Sequence, residues 1–132
     1  MLSQRAYQGI LAIAHVANSP AHKSVTVSSI AQFLELSVSY TESLVKVLKQ
    51  NDLLQASRGP GGGYQLAQAL DSLSVWDVVS AYEDTLSKPE EKLSSPEAQL
   101  AQSLMDDCWA MEQKFLKESP LSSLVDKQTV QS

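Results

Sequence analysis

Along the first fifty residues the apolar positions recur at helical intervals. Ala6, Tyr7, Ile10, Leu11, Ile13, Ala14 and Ala17 fall near one side of a 3.6-residue period, which predicts an amphipathic helix over residues 2–17. Asn18-Ser19-Pro20 ends it, because a residue before proline is driven out of helical conformation. Residues 21–26 read as a short polar link. A second helix opens at Val27, with Ser28 as the expected N-cap and Ile30, Ala31, Phe33 and Leu34 as its buried side. Leu36-Ser37-Val38-Ser39 reads as a tight turn, and a third helix is expected from Ser39 to Gln50. Its Leu44, Val45, Val47 and Leu48 share one side, while Ser39, Glu42, Ser43, Lys46 and Lys49 share the other.

The pattern then changes. Leu53–Ser57 and Tyr64–Ala67 read as two short strands joined by Arg58-Gly59-Pro60-Gly61-Gly62-Gly63, a turn that few side chains could occupy. The hairpin directly follows the third helix, as a wing does. A linker containing Thr85–Pro96 comes later, before a long helix expected over Glu97–Lys117. Leu100, Leu104, Cys108, Met111, Phe115 and Leu116 recur along that helix, with Trp109 beside them. Ser119-Pro120 stops it, a short last helix is expected over Leu121–Lys127, and residues 128–132 read as a frayed tail. The expected fold is mainly α with a small β-hairpin wing. A winged helix-turn-helix would occupy 1–82, a linker 83–96, and a long C-terminal dimerisation helix with its short terminal helix 97–127.

This arrangement carries chemistry. The second helix of a helix-turn-helix enters the major groove of DNA with its first residues at base edges. Ser37 and Ser39 let the backbone approach phosphates and offer hydroxyls to them. Glu42 is placed to accept from a cytosine amino group, and Lys46 and Lys49 to meet phosphates. Arg58 at the hairpin tip suits a minor groove. Other readings compete with this one: an ordinary surface helix in a bundle, and a plain hairpin loop. A nucleotide-binding glycine loop fits poorly, since no Gly-Lys-Ser/Thr follows and the loop joins two strands.

Composition adjusts the picture. The hydrophobic share is 43%, ordinary for a folded chain, and no apolar run approaches the roughly 20 residues of a membrane span. The opening stretch lacks a clear charged leader and cleavage site, so no secretory signal is expected and a cytoplasmic location is the default. The net charge of −5 is unequally divided. Residues 1–70 hold five cations against three carboxylates, and residues 71–132 hold five against twelve. A mildly basic half thus precedes a strongly acidic one. No paired acid and base, nucleophile triad or metal cluster can be assembled from the motifs, so no enzymatic activity is expected.

Ser37-Val38-Ser39-Tyr40, Glu42, Leu53-Leu54 and Arg58-Gly-Pro-Gly-Gly-Gly-Tyr64-Gln-Leu66 closely resemble the Rrf2 family of bacterial transcriptional regulators. The resemblance continues through Leu73–Val79 and Pro120–Val125 and covers most of the chain. It implies a homodimeric regulator, expected to be a repressor, on a palindromic stretch of double-stranded DNA. It implicates Ser37, Ser39, Tyr40, Glu42, Ser43, Arg58 and Gly59, to which Lys46, Pro60 and Gly61 are added as neighbours on the same face or loop. Some relatives carry a base-reading glutamine where Ser43 stands, so base preference there is expected to differ. Tyr40 lies near the edge of the apolar stripe and reads equally as core. Leu100, Leu104, Cys108, Met111 and Phe115 are the expected dimer contacts. Relatives that bind an iron–sulfur cluster carry three cysteines in the loop before the long helix. Here that loop has none, the chain has one cysteine, and His15 and His22 lie in the first helix region, so no cofactor is expected. Cys108, beside Asp106 and Asp107, reads as a packing residue rather than a redox sensor. An effector between the winged domain and the long helix, near Trp76, Tyr82 and Trp109, is left open, with plain core as the simpler role of these aromatics. The alternative function is a protein-interaction module with weak or lost DNA binding.

Overall fold

The computed structural model describes residues 3–20, 23–58, 62–83 and 94–125. Five helices run α1 (Gln4–Ala17), α2 (Val27–Leu34), α3 (Val38–Gln50), α4 (Val75–Tyr82) and α5 (Pro96–Lys117). The strands are β1 (Leu54–Ser57) and β2 (Gly63–Leu66), and 3-10 turns occupy Leu70–Ser72 and Leu121–Leu124.

Local chemistry sets the helix boundaries. Ser3, Thr26, Ser37 and Ser95 each accept a backbone N–H with the side chain and start α1, α2, α3 and α5. The expected cap Ser28 is therefore inside α2, because Thr26 already accepts from Ser29 N. α2 and α3 stop through left-handed residues. Glu35 (φ 57°) and Asp52 (φ 58°) turn the chain so that Leu36 N donates to Ala31 O and Leu53 N to Leu48 O. That turn places α3 across α2, which a continued helix would forbid.

The core gathers Ala6, Ile13 and Val16 of α1, Ile30 of α2, Leu44, Val45 and Leu48 of α3, and Val78, Val79 and Tyr82 of α4. Two expected core residues fall outside it. Tyr7 and Phe33 are 59% and 48% exposed, and Phe33 stacks on the His15 ring at 4.5 Å. Leu116, expected on the open stripe of α5, is buried in this core instead. Leu121 N donates to Leu73 O and Val75 N to Ser119 O, so the chain after α5 returns to the start of α4. Asn18 Nδ2 also donates to Leu124 O at 2.9 Å. The expected last helix is a single 3-10 turn over Leu121–Leu124; residues 126–132 lie outside the described residues.

β1 and β2 pair antiparallel, Leu54 opposite Leu66 and Ser57 opposite Gly63. Val25 adds a third rung: its N–H and carbonyl exchange bonds of 2.9 and 2.8 Å with Tyr64. This ties the hairpin to the link before α2. A β-carbon on Gly63 would lie 2.5 Å from the Val25 carbonyl oxygen. Only glycine fits there. Gly63→Ala is expected to lower stability by about 2 kcal/mol through overpacking, read from the urea midpoint, with β2 the first element to lose amide protection.

Candidate nucleic-acid interface

α2, the turn at Glu35 and Leu36, and α3 form the helix-turn-helix, and β1 follows α3 after three residues. α3 buries Thr41, Leu44, Val45 and Leu48. Ser39, Glu42, Ser43, Lys46 and Lys49 are all exposed at helical spacing, so one polar face of α3 presents them together, and the exposed cap Ser37 precedes it. Tyr40 is also at the surface, 36% exposed, which settles its place outside the core. Its hydroxyl donates to Gln8 Oε1 at 2.8 Å and links α3 to α1. Arg58 follows the last residue of β1 and is exposed. Gly59, Pro60 and Gly61 lie outside the described residues.

Internal hydrogen bonds already use several of the hydroxyls on α3. Ser37 Oγ accepts from Tyr40 N at 3.1 Å. The Ser43 hydroxyl donates to Tyr40 O at 2.6 Å, and that of Thr41 to Ser37 O at 2.8 Å. Ser43 is thereby left chiefly as an acceptor, and Ser39 and Glu42 keep the polar capacity at the exposed start of the helix.

Two features that position α3 carry no sequence signal. One is Gln8, on the far side of the chain from Tyr40. The other is Tyr82, whose hydroxyl donates to Leu44 O at 2.6 Å across the core. Its ring lies where a β-carbon on Gly9 would come within 2.5 Å of Cε2. Arg5 covers the same ring at 5.4 Å, and burial pushes the phenol well above its ordinary value. Tyr82 is therefore core. Trp76 meets Trp109 edge-on at 6.2 Å and takes the Lys117 ammonium at 5.2 Å, which docks the C-terminal half of α5 on α4.

α5 leaves its expected stripe open. Leu100, Leu104, Met111 and Phe115 are 64–73% exposed, Met105 is 62% exposed, and Cys108 is exposed with them. The described residues contain no helix long and apolar enough to cross a membrane.

A helix-turn-helix whose polar helix is followed at once by a tethered hairpin defines a winged-helix transcriptional regulator. The chain belongs to the Rrf2 family: the family model described as "Iron-dependent Transcriptional regulator" matches residues 2–127. The HTH-type transcriptional regulator IscR of Cereibacter sphaeroides is 28% identical over 117 residues, covering 83% of this chain and 76% of the relative. Among solved structures, CymR, the global cysteine regulator of B. subtilis, superposes with a TM-score of 0.79 at 25% identity, over 94% of this chain and 95% of that one. IscR of T. potens does so with a TM-score of 0.75 at 25% identity, over 92% and 83%. These relatives are regulators, not enzymes.

The family description names iron, so the donor set matters. Among the described residues no three His, Cys, Asp or Glu side chains come together to hold a metal. His15 Nε2 is hydrogen-bonded to Ser29 Oγ at 3.0 Å. Residues 84–93 contain neither cysteine nor histidine, and the one thiol of the chain is Cys108. A cluster held by several thiolates does not fit these donors.

Tyr82→Phe is expected to cost about 1 to 1.5 kcal/mol, the worth of one buried hydrogen bond, measured by urea unfolding with the fold intact by circular dichroism. Burial lowers the His15 pKa, so the unfolded chain takes up the proton first. Stability is then full above pH of about 6.5 and is lost as pH falls through the lower folded value. The melting temperature is expected to fall more between about pH 7.5 and pH 5.5 in the native protein than in His15→Gln.

Proposed function

We propose that the protein is a sequence-specific DNA-binding repressor acting as a homodimer on a palindromic operator in the cytoplasm. α3 enters the major groove, and Arg58 reaches the adjacent minor groove from the hairpin tip with Gly59, Pro60 and Gly61 close to the backbone. The observation that carries this reading is the exposed polar face of α3, with Ser39, Glu42, Ser43 and Lys46 side by side, directly followed by a hairpin tethered through Val25. Glu42 accepts from a cytosine amino group, and Ser37 and Lys46 meet phosphates.

The dimer reading rests on α5. Leu100, Leu104, Cys108, Met111 and Phe115 form an apolar stripe that its own domain leaves uncovered, and a second α5 of the same sequence covers it. The likeness to CymR and IscR supports both readings. The donor set supports a member that works without an iron–sulfur cluster.

Genomic fragments selected on the purified protein at fixed moderate salt test this. A palindrome is expected with the native protein, and its loss with Arg58→Ala. Leu104→Glu is expected to sediment as a monomer and to lose at least tenfold in operator affinity. Equal, unselective recovery by the native protein and Arg58→Ala would leave the interaction-module reading in place.

A further inference from the structure

The proposed interface leaves unassigned the residue that opens the recognition helix. Val38 follows the cap Ser37 and is 44% exposed. A single exposed apolar residue is ordinary on a protein surface. Here its place matters. Val38 and Glu42 stand one helical turn apart on the same flank of α3, and Ser39 lies between them in sequence. The neighbouring hydroxyls of Tyr40, Thr41 and Ser43 donate within the protein, to Gln8, Ser37 and Tyr40 respectively. The start of the helix is thus short of free donors for bases. What it offers beside the Glu42 carboxylate and the Ser39 hydroxyl is a pair of methyl groups.

In the major groove the base feature that matches an apolar side chain is the 5-methyl group of thymine. Resting on the DNA-binding reading above, we infer that Val38 is a specificity-determining residue that packs on a thymine methyl in each half-site. Its β-branched side chain has little rotamer freedom to lose on contact. Cβ atoms one turn apart on a helix are about 6 Å from each other. Successive bases on a strand rise about 3.4 Å. The thymine therefore lies one or two base steps from the base that Glu42 faces. Covering one methyl is worth about fourfold in affinity per half-site.

The test uses the full-length protein and the operator duplex recovered by the genomic selection. Each thymine of a half-site is replaced in turn by deoxyuridine, which removes the 5-methyl group and keeps the pairing. One position is expected to weaken native binding about fourfold. Val38→Ala, which changes both protomers, is expected to lose about sixteenfold on the thymine operator, as the native protein does when that thymine is replaced in both half-sites, and to be insensitive to the replacement. Binding to an unrelated duplex stays unchanged. Circular dichroism and the melting temperature verify that Val38→Ala is folded. A selected operator with no uracil-sensitive position, or with the same sensitivity retained in Val38→Ala, overturns the inference and leaves the DNA-binding reading standing. Selection of no operator at all removes both.

Discussion

The hydroxyl of Tyr82 on the Leu44 carbonyl is the contact on which the geometry of this molecule turns. It crosses the core from the last residue of α4 to the middle of α3. The ring itself occupies the space where Gly9 has no side chain, so α1, α3 and α4 meet at one buried tyrosine. A polar atom buried without a partner is costly, and here that cost enforces orientation. Rotating α3 about its axis would strand the phenol. The outward face of α3 is consequently decided by a bond on its inward face. Tyr40 to Gln8 adds a second link nearer the start of the helix.

The two halves of the chain divide their tasks by how much apolar surface each leaves open. α3 buries Leu44, Val45 and Leu48 and shows mostly polar residues, with Val38 and Tyr40 exposed at its start. α5 does the reverse over most of its length: Leu116 is its one buried residue. An exposed apolar stripe of that kind marks an interaction surface. The acidic excess of the second half keeps that surface soluble and, by like-charge repulsion, keeps this half away from phosphates. The mildly basic first half is left to approach them.

Periodicity made the helices, the hairpin and the open stripe of α5 legible, because each rests on residues close together in the chain. Caps were legible only to within a couple of residues: Ser28 and Thr26 are both good caps, and the choice depends on which one the turn from Val25 brings into line. Burial was less legible at the margins. Phe33 looks like core by spacing but lies against His15 at the surface, and Leu116 looks like stripe but enters the core because Pro120 and Leu121 pull the chain back to Leu73. Among the proposed interface residues the polar face of α3 followed from spacing alone. The links through Gln8 and Tyr82 did not, since each joins residues more than thirty positions apart and neither type of residue announces its partner.

The return of the chain after α5 has a mechanical meaning. The 22-residue helix is about 33 Å long. Its C-terminal end is clamped by Ser119 and Leu121 to the start of α4, and by Trp76 and Trp109 against the face of α4. Its other end extends beyond those clamps. Such a rod converts angle into distance: its tip lies about 20 Å from Trp109, so tilting it by about 9° at that contact displaces the tip by about 3 Å, close to one base step of DNA. A repacking of one aromatic pair at the pivot is thus a movement on the scale of DNA register at the end of the rod.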